Sequence, residues 1–259
     1  MRTRFEKERK DPRRYYPWER FWIPRDGKVT LSPSGYLPDP NQKMGQRINP
    51  QVVPYEEISD FPCLALLGEP GMGKSYVIKD IIRDTEKSAQ NTLVHFVDLK
   101  NTGSEIRACK KVVEAPEFRK WAHSDKDLLL ILDSLDECMA HTPTVAIALA
   151  DELSLYPLGH MRLRVACRTA EWPESLEEKL TEFWGQDNYG AYELVPLRRK
   201  DITTAAAEWN IDAGSFLSEV GNKAAEPLAI RPISLEFLLA EYEEDQELPP
   251  DQKDLYERG

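Results

Sequence analysis

The sequence lacks any uninterrupted apolar run approaching about eighteen residues, so it predicts no membrane-spanning helix. Its first sixteen residues, MRTRFEKERKDPRRYY, are basic but have no apolar segment behind them, which is not the pattern of a secretory signal peptide. The four cysteines form no CxxC pair, and three of them lie in or beside apolar runs. This spacing favours reduced, buried thiols over a zinc site or a disulfide framework, as expected of a cytoplasmic protein.

Positive charge is also scarce, because 34 Lys and Arg residues stand against 45 Asp and Glu residues, giving a net charge of −11. Such a surface disfavours binding to nucleic acid or to an anionic membrane. Residues 1–28 are the exception, with ten Lys and Arg against five Asp and Glu. Residues 1–55 also hold eight of the nineteen prolines and only short apolar runs, so we predict an extended basic arm and linker. Its aromatic stretch YYPWERFWIP is expected to dock on the rest of the chain or on a partner.

From residue 62 onward, short apolar runs alternate with segments of helical periodicity. We predict strands over 63–67, 92–99, 127–133, 162–168 and 191–197. Helices are predicted over 75–85, over 104–121 with a break at Pro116, and over 142–153 with Pro143 near its start. The run DLLLILD is apolar on both faces, which is typical of a central parallel strand. The pattern predicts an α/β domain over 56–198, with a parallel sheet flanked by helices, and the GxxxxGKS motif over 68–75 makes it a P-loop NTPase domain.

The strand signals end after Pro196, and helical patterns follow over 201–209, 213–220 and 233–243. We therefore expect a small helical domain over 199–259. The last residues, LYERG, resemble a helix without a cap. They predict that the helical domain is truncated and that the chain is an N-terminal fragment of a longer protein.

The stretch GEPGMGKS has the spacing GxxxxGKS and lies between a predicted strand and a predicted helix. Glycines permit a tight loop that brings the backbone close to phosphate, and the amides at the start of the helix favour an anion. Lys74 is expected to reach the β- and γ-phosphates, and the Ser75 hydroxyl to bind Mg²⁺. The predicted nucleotide contacts are Gly68, Glu69, Pro70, Gly71, Met72, Gly73, Lys74, Ser75 and Tyr76.

The stretch LLLILDSLDE places one acid at the end of the third predicted strand and two more just after it. Asp133 ends the strand, where its carboxylate can complete the Mg²⁺ site of the phosphate loop. Asp136 or Glu137 can act as general base toward an attacking water. Because both motifs follow strands at the carboxyl edge of one sheet, they predict a single site for ATP and Mg²⁺. ATP is favoured over GTP because the one Asn-Lys pair, Asn222-Lys223, is followed by two alanines and not by the acid of a guanine-reading NKxD motif.

These motifs resemble the NACHT branch of the STAND P-loop ATPases, which are related to AAA+ proteins. In that family the metal-binding Asp is followed by a tiny residue and then by an acid pair. Asp133, Ser134, Asp136 and Glu137 have that spacing. Ser134 departs from the usual AAA+ pattern, in which Glu directly follows the Asp.

The resemblance covers residues 45–245 and implies roles for two more residues. Arg168, at the end of RVACR, would sense the γ-phosphate, and Pro232, in RPISLEFLL, would pack near the adenine. It also implies a slow ATPase that works as a switch, in which Mg-ATP between the α/β and helical domains controls conformation and assembly. The implied partners are further copies of the chain or further domains of a longer chain, and prokaryotic defence is one setting.

Three alternatives are left open. A nucleic-acid-dependent AAA+-type ATPase would use the basic arm, although the acidic remainder of the chain disfavours it. A non-hydrolysing module would hold ATP for structural reasons. A P-loop kinase is the weakest alternative, because no Arg-rich lid segment follows the third predicted strand. The trigger and the effector have no signature in the sequence.

Overall fold

The computed structural model describes residues 16–89 and 91–249, so the predicted chain end at Leu255 to Gly259 lies outside it. The strands are β1 Phe21–Pro24, β2 Val53–Pro54, β3 Cys63–Leu67, β4 Thr92–Asp98, β5 Asp127–Asp133, β6 Met161–Cys167 and β7 Tyr189–Leu194. The helices before the middle of the chain are α1 Lys43–Ile48, α2 Tyr55–Ile58, α3 Lys74–Ser88, α4 Glu105–Val113 and α5 Pro116–Ala122. Those that follow are α6 Leu135–Met139, α7 Val145–Ser154, α8 Glu174–Trp184, α9 Arg199–Glu208, α10 Ala213–Asn222, α11 Glu226–Ala229 and α12 Pro232–Asp245.

The seven strands form one sheet in the order β2-β1-β7-β3-β6-β5-β4. The five strands from β3 to β7 are mutually parallel, which confirms the α/β fold and its five predicted strands. Strand β6 therefore lies between β3, which leads into the GEPGMGKS loop, and β5, which leads into the acidic stretch. All three strands end at the same edge of the sheet.

Alternate residues of the central strands face two separate cores. Cys63, Ala65 and Leu67 of β3 face a core with α4, α5, α7 and α8, whereas Leu64 and Leu66 face a second core with α3. The same alternation holds along β5, whose residues from Leu128 to Leu132 are all buried. A strand that is apolar at every position is stable only with helices on both faces, and that is the arrangement observed.

Some elements differ from the sequence prediction. Two strands, β1 and β2, precede residue 62, and both pair antiparallel, so the sheet is mixed and not purely parallel. They are only four and two residues long and are too short to show a period. Helix α7 begins at Val145, so Pro143 lies in the turn before it and not inside it. Helices α6 and α8 were not predicted.

Helices α9 to α12 pack around a core of their own, as predicted for the C-terminal part of the chain. Two residues from the N-terminal part, Tyr16 and Tyr36, are buried in that core. The indole Nε1 of Trp209 donates to the hydroxyl of Tyr16 at 2.7 Å. Within the described residues no helix is long and apolar enough to cross a bilayer.

A buried ion-pair network joins the N-terminal part to the start of α9. The guanidinium of Arg198, 4% exposed, lies 2.8 Å from Asp201, 2.9 Å from Asp39 and 3.2 Å from Glu19. It also lies over the ring of Phe21, 4.7 Å from the centroid. The carboxylate of Asp201 in turn accepts from the Arg198 amide at 2.8 Å, which caps α9.

Replacing Arg198 with Met is expected to lower the free energy of unfolding by about 3–5 kcal/mol, because it leaves the buried Asp201 without its cation. Urea unfolding at neutral pH measures the change. The neighbouring Arg199 is exposed, so Arg199→Met is the matched control and should change stability by no more than about 0.5 kcal/mol. Equal stability of the two variants would show that the network contributes nothing.

Candidate functional site

The GEPGMGKS loop runs from β3 to the first residue of α3, Lys74. Gly71 and Gly73 have φ of 78° and 90°, in the left-handed region that disfavours other residues. A Cβ at Gly71 would lie 2.3 Å from Cγ2 of Ile233, so α12 closes on the loop too tightly for a side chain. The amide of Ile233 also donates to the Gly71 carbonyl at 3.3 Å. The loop is thus held between the sheet and the helical part of the chain.

The Lys74 ammonium is half-buried inside this loop. Its Nζ donates to the carbonyl of Gly68 and lies 3.5 Å from that of Glu69. Burial lowers the pKa of Lys74, and the nearby carboxylates of Asp136 and Asp133 oppose that shift. The ammonium is therefore positioned between the loop and the acids that follow β5.

Ser75 and Asp133 lie close together, as the two motifs predict. The Ser75 hydroxyl lies 3.4 Å from Oδ2 of Asp133, and Oδ1 accepts from the Ser134 amide at 2.8 Å. Burial raises the pKa of the Asp133 carboxyl, and Asp98 adds to that shift. The amide of Ser134 and the hydroxyl of Ser75 oppose it. One hydroxyl and one carboxylate are the kind of sparse oxygen set that suits Mg²⁺, which keeps several waters.

Asp136 is held by Arg168, which follows β6. Arg168 Nε lies 2.8 Å from one carboxylate oxygen of Asp136, and the Arg168 amide donates to the other at 3.3 Å. The Asp136 side chain is 10% exposed and the Arg168 side chain 46% exposed. Because β6 lies between β3 and β5, Arg168 follows its strand at the same sheet edge as the GEPGMGKS loop and Asp133.

Glu137, the other candidate base, has a different partner. Its carboxylate lies 3.1 Å from Nζ of Lys100, and both side chains are partly exposed. Lys100 follows β4 and was missed at the sequence level, although its position after a strand on the same sheet edge is a usable signal. Consecutive residues of a helix point about 100° apart, so the two acids at the start of α6 meet different neighbours.

A recess adjoins the loop on the side of Gly73. It is lined by Tyr16, Trp18, Arg20, Gly73, Tyr76, Val77, Asp80 and Pro232. The rings of Tyr16 and Trp18 are stacked, with centroids 4.4 Å apart, and Pro232 begins α12. The recess therefore brings together the N-terminal part, α3 and the helical part beside the phosphate loop.

The predicted nucleotide contacts differ in what their side chains can do. The side chain of Met72 is buried in the core under α3, so only the backbone of this residue can contact a ligand. Tyr76 borders the recess and is 44% exposed. Pro70 is exposed at the tip of the loop and Glu69 is partly buried. Arg20, which no sequence pattern singled out, lies just before β1 and contacts the loop.

No protein-family model matches the chain, and no curated protein does so either. Similar solved structures include AMPPCP-bound DnaA from Aquifex aeolicus, with a TM-score of 0.51, 15% identity, and 88% of this chain and 71% of that chain covered. A DNA replication initiation factor has a TM-score of 0.49 and 13% identity, over 82% of this chain and 65% of that one.

The Hsp104–ADP complex of S. cerevisiae has a TM-score of 0.47 and 15% identity, over 71% of this chain. The present chain spans only 29% of the length of that Hsp104 chain. At these identities the DnaA likeness shows the fold alone, a mostly parallel sheet flanked by helices of the P-loop NTPase type.

Proposed function

We propose that this protein binds Mg-ATP at the GEPGMGKS loop and hydrolyses it slowly. The proposal depends mainly on one observation, the 3.4 Å distance between the Ser75 hydroxyl and Asp133 Oδ2. The two residues are 58 positions apart and come from the two motifs that a Mg-nucleotide site needs. They meet beside Lys74, at the carboxyl edge of the parallel strands, where ligands of such sheets bind.

The residues present fit the two groups that this proposal requires. Mg²⁺ would be held by Ser75 and Asp133, and it would neutralise charge on the phosphate oxygens. The triphosphate would lie against the loop amides and Lys74, at the N-terminus of the fifteen-residue helix α3. The recess beside Gly73 offers aromatic and proline surfaces to a base, and we assign the adenine to it.

For hydrolysis we assign Glu137 or Asp136 as the group that orients and deprotonates water, and Arg168 as the group that contacts the γ-phosphate. Support for the role of Arg168 comes from the strand order, because β6 lies between the strands that lead into the two motifs. A guanidinium forms paired hydrogen bonds to phosphate as readily as to a carboxylate. Because Asp136 holds the Nε of Arg168, the terminal nitrogens of the guanidinium would make the contact to the γ-phosphate.

We further propose that the protein works as a nucleotide-controlled switch of the NACHT type, within the STAND ATPases. Support comes from α12, which contacts the loop through Ile233 and Pro232, so a ligand in the loop would bear on the helical part directly. In this view residues 1–55, 56–198 and 199–259 are the arm, the NTPase domain and a helical domain of a longer chain. Assembly with further copies or domains, and a role in defence, belong to this proposal.

The first test is calorimetry and thermal unfolding with ATP, with and without Mg²⁺. We expect saturable binding of one ATP per chain and a rise in melting temperature that is larger with Mg²⁺. GTP at the same concentration should give a smaller rise. Folded protein that shows no ATP-dependent signal at millimolar nucleotide would overturn the assignment.

Removing the metal and removing its carboxylate should have the same effect. We expect Asp133→Asn to weaken Mg-ATP binding by about tenfold, because it removes one charged contact. EDTA should lower the affinity of the parent protein for ATP by a similar factor for the same reason. In EDTA the variant and the parent should bind ATP alike. Asp127→Asn, at the opposite end of β5, is the matched control. Calorimetry measures the ATP affinity of the parent and of Asp133→Asn, each with Mg²⁺ and with EDTA. If the losses from the substitution and from EDTA added up, Asp133 would not act through the metal.

A second candidate function is an ATP-holding module with negligible turnover. It is favoured by the ion pairs of both candidate bases, Asp136 with Arg168 and Glu137 with Lys100. A carboxylate whose oxygens are held by a cation has fewer free oxygens with which to orient an attacking water. Single-turnover measurement of labelled ATP over several hours separates the two functions, since a holding module would leave the triphosphate intact.

A further inference from the structure

Arg20 joins two carbonyl groups that belong to different parts of the candidate site. One NH group of its guanidinium donates to the Met72 carbonyl in the phosphate loop at 2.8 Å. The other donates to the Val195 carbonyl, just after β7, also at 2.8 Å. One rigid, planar group therefore links the phosphate loop to the end of β7, which lies between β1 and β3 in the sheet.

The bond to Met72 also determines how the next peptide unit is turned. In a trans peptide the carbonyl of one residue and the amide of the next point in opposite directions. Because the Met72 carbonyl points to Arg20, the Gly73 amide points away from it. Gly73 adopts φ of 90°, which glycine reaches without strain, so the bond from Arg20 selects one of several orientations that are open to this peptide.

The positive charge of Arg20 also favours the binding of an anion at the loop. Among the described residues, no carboxylate lies within ion-pair distance of its guanidinium. Burial lowers the pKa of Arg20 to about 10, while Asp201 raises it and Arg198 lowers it further. The group stays charged at neutral pH, and NH1 lies 3.0 Å from where a Cβ at Gly73 would stand. A cation directly behind the loop makes the loop more favourable for an anion.

Arg20 is itself positioned by a segment with three anchors, residues 16–24, which we call the strap. Trp22 of the strap pairs with Leu194 of β7. Trp18 Nε1 donates to the Asp201 carbonyl of α9 at 2.9 Å, and the Tyr16 hydroxyl accepts from Trp209. The strap thus contacts the sheet, the helical part and, through Arg20, the phosphate loop.

We propose that Arg20 is a positioning residue of the phosphate loop: it turns the Met72–Gly73 peptide so that the Gly73 amide faces the phosphates. The proposal rests on the proposed function, because it assigns how that same site is ordered. Phosphate affinity then depends on whether the strap is docked. The strap makes the N-terminal part of the chain a component of the nucleotide site.

The test compares Arg20→Met and Arg20→Lys with the parent, using two probes, Mg-ATP and inorganic tripolyphosphate with Mg²⁺. The control is Arg25→Met, since Arg25 follows β1 and pairs with Glu177, away from the loop. Calorimetry gives the affinities well below each melting temperature. Amide spectra of ¹⁵N-labelled protein report on Gly73 directly.

We expect Arg20→Met to lower the affinity for both probes by about tenfold, the size expected for the loss of a charge-assisted hydrogen bond. Arg20→Lys should recover part of the affinity, because an ammonium can reach one carbonyl but cannot bridge two. The Gly73 amide signal should shift in Arg20→Met and stay in place in Arg25→Met. A residue that only stabilised the fold would lower the melting temperature without moving this signal or the affinity of the folded protein.

Two results would overturn the proposal. Parent-like affinity of Arg20→Met for both probes would show that the loop does not need Arg20. A loss for Mg-ATP alone would show that Arg20 contacts the nucleoside and not the phosphate loop. In both cases the proposed function would still stand, because the parent binds Mg-ATP. Failure of the folded parent to bind either probe would instead overturn the proposed function.

Discussion

Replacing Lys74 with Ala is expected to weaken Mg-ATP binding by on the order of 100-fold, beyond detection in a standard calorimetric titration. The ammonium is half-buried, and the carboxylates of Asp136 and Asp133 lie near it. Without it, the triphosphate would meet those acids with no side-chain cation inside the loop. The loss therefore combines a missing charge-assisted hydrogen bond with repulsion in a partly desolvated site.

Lys87→Ala is the matched control for this prediction. Lys87 lies in the last turn of the same helix α3 and is exposed, so its removal changes the net charge equally but leaves the loop intact. We expect the control to bind Mg-ATP like the parent and to melt within a few degrees of it. If Lys74→Ala bound Mg-ATP as tightly as Lys87→Ala, the loop would not be a phosphate site.

Much of the sheet could be predicted because its central strands are apolar at every position. CLALL and DLLLILD have no polar residue before their last position except the initial Asp127, and a run of that length is buried on both faces only in a covered parallel sheet. The strand ends then predicted the location of the candidate site, because the position of a strand determines where the residue after it must lie. The closeness of Ser75 and Asp133 follows from that reasoning.

The elements that were missed carry weaker signals. Helix α8 has Leu176, Leu180 and Trp184 at spacings of four, and this pattern could have been recognised. Strands β1 and β2 could not, because a strand of two to four residues is specified by its partner and not by its own period. The two bonds of Arg20 span 52 and 175 positions in sequence, which local patterns do not encode.

The sequence also could not divide the roles of Asp136 and Glu137. Both are acids in the first turn of α6, and either suits a general base. The division depends on the side chains that each one meets, Arg168 after β6 and Lys100 after β4. Those contacts follow from the strand order, which places β6 and β4 on opposite sides of β5.

This division leads to the second large expected effect. Glu137→Gln should lower the rate of ATP hydrolysis by about 100-fold or more, the usual loss for a missing general base, and change Mg-ATP affinity by less than about twofold. The amide can still accept from Lys100 but cannot take a proton from water. Single-turnover kinetics give the rate, and calorimetry gives the affinity. Glu86→Gln, which is exposed near the C-terminal end of α3, is the control.

Asp136→Asn should also leave Mg-ATP binding unchanged and slow hydrolysis. In this variant the cause would be the displacement of Arg168 and not the loss of a base. The carboxylate holds the guanidinium at 2.8 Å, so its neutralisation releases the group that we assign to the γ-phosphate. The effects of Asp136→Asn and Arg168→Gln on the rate should therefore be non-additive in the double variant, whereas either should add to Glu137→Gln. If Glu137→Gln hydrolysed ATP at the parent rate while Asp136→Asn did not, Asp136 would be the base. The Lys100 pair would then be only a surface contact of α6.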